Sequence, residues 1–282
     1  MDITTIIGQI FLPISLAIIM FGMGLGLVIG DFVRLFSFPK AVLVGLCNQL
    51  LLLPLIGFAI VVLFDLNPSM AIGVMIISVC PGGPTSNLIT QVSRGNIGLS
   101  VTLTALGSLI TVFTIPILLS KAIAYFTGNT GVIIQLPILE TMVQILVITI
   151  IPIFIGMMIR KQKEAFALSM EKPMRTASTV LFVIIFLVII IANKDNLGQA
   201  MNEVGLATLL LNLLTMGLGF LTAKLFGIAG NSQITITIES GIQNGTLAFV
   251  IATSILNNLE MGLPAGAYSC LLYTSPSPRD KT

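Results

Sequence analysis

Long apolar runs separated by short polar loops make up almost all of this chain. Each run approaches the roughly 20 residues that an α-helix needs to cross a bilayer. The pattern predicts an all-α polytopic membrane protein with eight complete spans and a ninth, shorter apolar segment. The predicted spans are 5–29, 40–63, 69–92, 97–124, 134–159, 174–193, 203–227 and 231–257, and the shorter segment is 262–273.

Composition agrees with this pattern. The 282 residues are 56% hydrophobic and 9% charged, whereas soluble domains are about 25% charged, so a soluble fold is excluded. The chain has no histidine, which excludes imidazole metal sites and histidine proton relays. Cys47, Cys80 and Cys270 lie in apolar segments without zinc-type spacing, and we expect them to be small buried side chains.

The two ends of the chain differ in character. The first apolar run is too long for a signal peptide, so we interpret it as a retained transmembrane helix. Residues 274–282 are polar and carry two prolines, and such a segment cannot continue a helix through hydrocarbon. We interpret this tail as a truncation of the ninth span or a sequence artefact.

Lysine and arginine are distributed unevenly between the loops. With the N-terminus outside, the outer side receives only Lys121 and Lys194, and the tail adds Arg279 and Lys281 inside. This bias predicts an outside N-terminus in the cytoplasmic membrane, with the basic loop 160–173 inside. The inner side would hold nine basic residues: Arg34, Lys40, Arg94, Arg160, Lys161, Lys163, Lys172, Arg175 and Lys224.

Two spans are interrupted by polar and helix-breaking residues. Span 69–92 contains CPGGPTSN at 80–87. Its prolines lack backbone donors, its glycines let the chain turn, and Thr85, Ser86 and Asn87 are N-cap residue types suited to start a second half-helix. A simple packing kink is the alternative, but this motif favours a functional break.

The second interrupted span, 231–257, carries Glu239 and the glycines Gly241 and Gly245. A carboxylate at membrane depth costs several kcal/mol unless it is compensated, and such residues usually face a cavity or an ion path. Two glycines four residues apart weaken the helix beside that charge. Two interrupted helices in one chain indicate the binding site of a secondary transporter.

Span 97–124 carries four hydroxyl residues whose spacing places them on one helical face. They are Ser100, Thr104, Ser108 and Thr111. Such a stripe either packs against another helix or, beside Ser86, Asn87 and Glu239, completes an oxygen cage. Carboxylate, carbonyl and hydroxyl oxygens are the ligands of hard cations such as sodium.

A second ion could use Gln49, Gln243 and the carbonyls of Ser240 and Ile242, although Gln49 taken alone is better explained by a helix–helix hydrogen bond. Half-helix N-termini attract anions. We therefore expect an organic anion near Thr85 and the backbone of Asn244 and Gly245.

Spans two and seven suggest an internal repeat. Residues LCNQLLLLPLIGF and LLLNLLTMGLGF each hold an amide, then apolar residues, then a Gly-Phe pair, and each precedes an interrupted span. The interrupted spans are the third and the eighth, and this odd offset predicts halves of opposite orientation, an inverted repeat.

At this point the motifs resemble the bile acid:sodium symporter family. The resemblance covers nearly the whole chain and is carried by IIMFGMGLGL (18–27), CPGGPTSN (80–87), RGNIGLSVTLT (94–104) and ESGIQNGTLA (239–248). The resemblance implies two sodium sites. The first consists of Ser86, Asn87, Ser100, Thr104 and Glu239, and the second of Gln49, Glu239, Gln243 and the carbonyls of Ser240 and Ile242.

The resemblance also implies a single transporter domain over residues 1–273, in a nine-helix form whose last helix is truncated. A panel would contain spans 5–29, 134–159 and 174–193. A core with the crossing broken helices would contain 40–63, 69–92, 97–124, 203–227, 231–257 and 262–273. Pro84 stands where relatives often have a polar residue, which bears on the substrate pocket, so we place Pro84 with Thr85, Asn244 and Gly245 as substrate-binding candidates.

The expected function is sodium-coupled symport of an organic anion, bile-acid-like or a small carboxylate. Na⁺ is the coupling ion, and no organic cofactor, nucleic acid or obligatory protein partner is expected beside the anion and the lipid bilayer. Proton coupling through Glu239 is the main alternative. Arsenite export involving Cys80 and a purely structural membrane protein are lesser ones. An intramembrane enzyme is disfavoured, because the chain has neither histidine nor paired intramembrane aspartates.

Overall fold

The computed structural model describes residues 7–33, 36–128, 136–192 and 194–273, and these residues are almost entirely helical. Helix α1 is Leu12–Gly26, preceded by a π-helical turn at Ile7–Phe11. A short helix α2 follows at Ile29–Val33. The first predicted span is therefore confirmed, with its helix ending three residues early.

Helix α3, Pro39–Leu63, is the second predicted span. A π-helical turn at Asn48–Leu52 interrupts its regular hydrogen bonding. Such turns widen a helix by one residue and often lie at functional sites. Here the turn lets two consecutive amide side chains, Asn48 and Gln49, both be buried.

The third predicted span is broken into two helices at its motif. Helix α4 is Pro68–Val79 and helix α5 is Pro84–Val92. Asn67 caps α4, because its side chain accepts a hydrogen bond of 3.0 Å from the Met70 backbone N–H. Between the two helices the chain is extended at Cys80.

Two long helices follow. Helix α6, Ile97–Thr127, has 31 residues and is capped by Asn96, whose side chain accepts from the Leu99 backbone N–H at 3.1 Å. Helix α7 is Ile138–Gln162 and ends in basic residues. Basic side chains at a helix C-terminus interact favourably with its carbonyl end.

The sixth and seventh predicted spans are longer helices than expected. Helix α8, Glu164–Ala192, begins ten residues before the predicted start at 174, and helix α9, Lys194–Leu225, begins nine before 203. The expectation that 160–173 forms a loop is wrong. Glu164 lies in the first turn of α8, where an acidic side chain is favourable, and it forms an ion pair of 3.3 Å with Arg160 in the last turn of α7.

The eighth predicted span is also broken in two. Helix α10 is Asn231–Gly241, and helix α11 is Gly245–Ile255, whose last turn is π-helical. Helix α12, Leu263–Tyr273, is the shorter ninth segment. The polar residues between the half-helices are thus held in a short extended connection rather than in a continuous helix.

Helix α1 packs against α7 and α8. The contact with α7 is close: a Cβ at Gly24 would lie 2.8 Å from the Ile153 Cα atom, and a Cβ at Gly156 would lie 2.8 Å from the Gly24 carbonyl carbon. Small residues at such crossings let membrane helices approach. These three helices are the ones assigned to the panel, and the division into panel and core stays a prediction.

Five helices within the described residues are long and apolar enough to cross a membrane, and α4 and α11 are shorter apolar helices. Many large apolar side chains point outward, including Leu55 and Phe113, as expected where lipid replaces water. Cys80 is buried as predicted, but the expectation for Cys47 is wrong because its side chain is exposed on α3.

Contacts bring some of the basic residues that were predicted on the inner side of the membrane to one end of the molecule. The Lys40 Nζ atom lies 3.9 Å from the position of a Cβ on Gly227, just beyond the end of α9. The Asn96 backbone N–H donates to the Asn231 carbonyl at 3.1 Å. Lys40, Arg94 and Lys224 therefore share an end, while the orientation in the membrane stays a prediction.

Several sequence predictions lie outside the described residues. They are the tail 274–282 with Arg279 and Lys281, the basic residue Arg34, the burial of the Cys270 side chain, and the ends of predicted spans at 5–6, 134–135 and 193.

Candidate functional site

The two breaks cross and pair through their backbones. Gly82, between α4 and α5, forms an isolated antiparallel bridge with Gln243, between α10 and α11. The Asn244 backbone N–H donates to the Pro81 carbonyl at 2.8 Å. Backbone groups released from a helix inside a membrane need other partners, and each break supplies them for the other.

The glycines of the first break serve this close crossing. A Cβ at Gly82 would lie 2.6 Å from the Glu239 Oε2 atom, and a Cβ at Gly83 would lie 3.2 Å from the Asn244 Cα atom. Gly83 has an extended backbone with φ of −126°, which any residue can adopt. The expectation that these glycines are needed for a turn is therefore wrong: they are needed because a second chain passes over them.

The start of α5 also differs from the expectation. Its N-cap is Gly83, with Pro84 as the first helical residue and no side-chain cap. Thr85, Ser86 and Asn87 lie inside the first turn, because proline fits the first helical position, where an N–H would be unsatisfied. The Ser86 hydroxyl donates to the Gly83 carbonyl at 2.8 Å, which leaves its lone pairs available.

Glu239, on the last turn of α10, is fully buried at the crossing. Its Oε1 atom accepts a hydrogen bond of 2.5 Å from the Ser100 hydroxyl, and its Oε2 atom accepts one of 3.1 Å from the Thr104 hydroxyl. The Gln49 Nε2 group lies 3.4 Å from Oε2. Within the described residues, all the polar side chains that contact this carboxylate are neutral.

The hydroxyl protons of Ser100 and Thr104 are fewer than the acceptor oxygens that they face. The Ser100 and Thr104 hydroxyls also lie 2.7 and 3.3 Å from the Asn87 Oδ1 atom. Two hydroxyl protons therefore face three strong acceptors, namely two carboxylate oxygens and one amide oxygen. Ser86 brings another oxygen close to this carboxylate. A Cβ atom placed on Gly82 would lie 3.3 Å from the Ser86 Oγ atom and 2.6 Å from Glu239 Oε2.

A second set of oxygens lies beside Glu239. The Gln49 Nε2 group donates to the Glu239 carbonyl at 2.9 Å, and the Gln243 Nε2 group donates to the Ser240 carbonyl at 3.0 Å. The Oε1 atoms of both glutamines are buried and accept no hydrogen bond within the described residues. Buried acceptors without partners are rare, so these two oxygens are candidate ligands of a cation.

The carbonyls of the second break are used unequally. Those of Glu239, Ser240 and Gly241 accept side-chain hydrogen bonds, and that of Gln243 accepts from the Gly245 backbone N–H at 2.9 Å. Among the described residues, the Ile242 carbonyl accepts no side-chain hydrogen bond, and the bridge between Gly82 and Gln243 places it opposite the Gly83 N–H. It is thus the backbone oxygen between Glu239 and Ile242 that no side chain holds in place.

The hydroxyl stripe of α6 divides into two halves. Ser100 and Thr104 reach Glu239, whereas Ser108 donates to the Thr104 carbonyl at 2.8 Å and Thr111 to the Ser108 carbonyl at 3.2 Å. Bonding back to the preceding turn is the ordinary behaviour of hydroxyl residues in helices. Only the first two residues of the stripe belong to the oxygen cluster.

The substrate-binding candidates surround the same crossing. Pro84 and Thr85 are half-buried at the start of α5, while Asn244 and Gly245 are buried at the start of α11. The Asn244 side chain caps α11 by accepting from the Leu247 backbone N–H at 3.0 Å. The structure therefore places the N-termini of both half-helices next to each other.

Three buried or half-buried residues of this region were not predicted from the sequence. The Asn48 Nδ2 group donates to the hydroxyls of Thr222 and Ser240 at 2.9 and 3.1 Å. Asn212 and Tyr268 both donate to the Gly241 carbonyl. Asn48 stands next to Gln49, and Asn212 is the amide of the repeated pattern in span seven, so these two had a signal in the sequence; Tyr268 had none.

Comparison with known proteins identifies the family. A family model described as the sodium bile acid symporter family matches residues 13–200, two thirds of the chain. This chain belongs to the sodium bile acid symporter family. It is therefore an integral membrane protein and a sodium-coupled transporter rather than an enzyme.

Curated relatives extend the similarity to about nine tenths of the chain. An uncharacterized sodium-dependent transporter of Bacillus subtilis (strain 168) is 30% identical over 92% of this chain and 78% of its own length. A probable chloroplastic sodium/metabolite cotransporter of Arabidopsis thaliana is 29% identical over 91% of this chain. The human ileal sodium/bile acid cotransporter is 28% identical over 89% of this chain and 71% of its own length. The match spans only 62% of the Arabidopsis protein.

Proposed function

We propose that this family member couples the entry of sodium to the uptake of an organic anion by alternating access. The observation that carries the proposal is the position of Glu239, fully buried between neutral oxygen-bearing side chains where the two helix breaks cross. A buried carboxylate with neutral neighbours is costly. A bound monovalent cation would compensate its charge.

The first proposed sodium site consists of Ser86, Asn87, Ser100, Thr104 and Glu239. Sodium is a hard cation that takes oxygen ligands, and all five side chains present oxygen. The excess of acceptors over hydroxyl protons supports a cation more than an internal hydrogen-bond network. When sodium binds, the two hydroxyls would turn their lone pairs to the ion.

The second proposed sodium site consists of Gln49, Gln243, Glu239 and the carbonyls of Ser240 and Ile242. The unpaired Oε1 atoms of the two glutamines support this assignment. Because Glu239 would serve both ions, binding at one site orders a ligand of the other.

The organic anion is proposed to bind at the crossing, near Pro84, Thr85, Asn244 and Gly245. The N-termini of α5 and α11 lie side by side there, since a Cβ on Gly83 would lie 3.2 Å from the Asn244 Cα atom, and helix N-termini attract anions. The names of the relatives, a bile acid cotransporter and a metabolite cotransporter, support the class of organic anion. They leave the individual substrate open.

For the transport cycle we propose that a core carrying the crossing moves against a panel formed by α1, α7 and α8. The halves of the chain would form an inverted repeat, with the N-terminus outside in the cytoplasmic membrane. Bound sodium would hold the two breaks together, so that the anion site forms only when the ions are present.

The test is the melting temperature of the purified protein in sodium chloride against choline chloride at matched ionic strength. A ligand that binds only the folded state raises the melting temperature. We expect stabilisation by sodium in the wild type and its loss in Glu239→Gln. The companion measurement is uptake of labelled bile acids and small carboxylates into proteoliposomes driven by a sodium gradient. Uptake driven by a pH gradient and indifferent to sodium would instead establish proton coupling.

A further inference from the structure

The carbonyl of Gly241, the last residue of α10, accepts hydrogen bonds from two side chains of other helices. The Asn212 Nδ2 group, on α9, donates to it at 2.6 Å, and the Tyr268 hydroxyl, on α12, donates to it as well. The second N–H of the Asn212 amide points to the Tyr268 oxygen at 3.4 Å. The three groups form a closed hydrogen-bonded triangle, and neither donor belongs to the proposed sodium or anion sites.

This triangle satisfies the carbonyl completely. The last carbonyls of a helix have no partner within the helix, and inside a membrane no bulk water replaces that partner. A carbonyl oxygen has two lone pairs, and here each meets a donor. The Gly241 carbonyl is therefore both fixed in direction and unavailable as an ion ligand.

The neighbours of Gly241 are the two residues whose carbonyls belong to the proposed second sodium site. Successive peptide planes are joined by only two rotatable bonds per residue. Fixing the Gly241 peptide therefore limits the directions of the Ser240 and Ile242 carbonyls on either side of it. The same residue is wedged against α9, because a Cβ on Gly241 would collide with the Met216 side chain.

Helix α12 contacts both sides of the break with consecutive residues. Tyr268 reaches Gly241 at the end of α10, and a Cβ on Gly245, at the start of α11, would collide with the Ser269 hydroxyl. The side chain of Tyr268 is fully buried. A phenylalanine would fill the same volume, so packing alone does not account for a hydroxyl at this place.

We propose that Asn212 and Tyr268 are positioning residues of the ion site. Together they hold the Gly241 carbonyl so that the Ser240 and Ile242 carbonyls present the geometry that sodium requires. Tyr268 thereby links helix α12 to sodium binding. The inference rests on the proposed sodium site and adds two residues that act on the ion through the backbone.

The experiment is a sodium titration of the melting temperature of the full chain, with choline chloride keeping the ionic strength constant. The variants are Tyr268→Phe, which removes one oxygen atom, and Asn212→Leu, which removes the amide at similar volume. The concentration of sodium at half-maximal stabilisation should rise about tenfold in each, as is typical when a group that orients a metal ligand is removed.

The matched control is Thr208→Val. Thr208 is fully buried on α9, one turn before Asn212, and its hydroxyl donates to the Val204 carbonyl of its own helix. We expect Thr208→Val to lower the melting temperature equally in sodium and in choline chloride. The sodium concentration at half-maximal stabilisation should stay unchanged, because this variant loses only a structural hydrogen bond.

The outcomes separate the two claims. A wild type without any sodium response overturns the sodium site and the inference with it. A wild type that responds, with Tyr268→Phe titrating at the same sodium concentration, overturns the inference alone. If Asn212→Leu does not fold, the titration of Tyr268→Phe decides by itself, because that change leaves the packing of the ring intact.

Discussion

The Ser100 hydroxyl lies 2.5 Å from the Oε1 atom of Glu239, although 139 residues separate the two in the chain. Ser100 is near the start of α6, and Glu239 is near the end of the half-helix α10. Their contact brings a continuous helix and a broken helix to one point in the interior. At that point a single carboxylate supplies the only formal charge among the contacting side chains within the described structure.

Ser100→Ala is expected to weaken sodium binding about tenfold, measured as the sodium concentration at half-maximal thermal stabilisation. The hydroxyl contacts the Glu239 carboxylate directly, and removing one ligand of a small oxygen site costs affinity of this order. Ser108→Ala is the matched control, since its buried hydroxyl bonds only to the Thr104 carbonyl. Equal sodium responses in the two variants would contradict the first proposed site.

Gln243→Leu is expected to reduce the cooperativity of the sodium response. If two ions share Glu239, the sodium dependence of uptake in the wild type rises with a Hill coefficient above one. Removal of the buried, unpaired Oε1 atom of Gln243 disables the second site and should bring the coefficient close to one. A coefficient unchanged from the wild type would remove Gln243 from the set of ligands.

Gly82→Ala is expected to abolish sodium-dependent stabilisation. The added methyl group would lie 2.6 Å from Glu239 Oε2 and 3.2 Å from Gln49 Nε2, so the carboxylate shared by the two proposed sodium sites would have to leave its position. Gly217→Ala is the control, because a Cβ there meets nothing within 4 Å in the middle of α9. It should instead stabilise the protein by up to about 1 kcal/mol through helix propensity. Normal sodium binding by Gly82→Ala would contradict the proposed role of the Glu239 carboxylate in the position that the structure gives it.

Local sequence was sufficient to predict the two helix breaks and the charged residue, Glu239, that lies beside the second one. Proline without a backbone donor and adjacent glycines weaken a helix wherever it lies, so CPGGPTSN and ESGIQNG carry the information within a few residues. The long apolar spans could likewise be predicted from consecutive residues alone. The start of α8 at Glu164 was missed because a charged, polar segment is typical of a loop, whereas Glu164 begins a new helix and pairs with Arg160 at the end of α7.

Only the tertiary structure decided which polar residues meet. Asn212, Tyr268 and Gly241 come from three helices, and no local pattern distinguishes Tyr268 from an ordinary interfacial aromatic residue. The glycines of the first break are likewise explained by the chain that passes over them and not by their own backbone angles. The sequence by itself determined where helices stop, since that depends on neighbouring residues. Which oxygens surround Glu239 depends on how distant helices pack, and this only the folded arrangement determines.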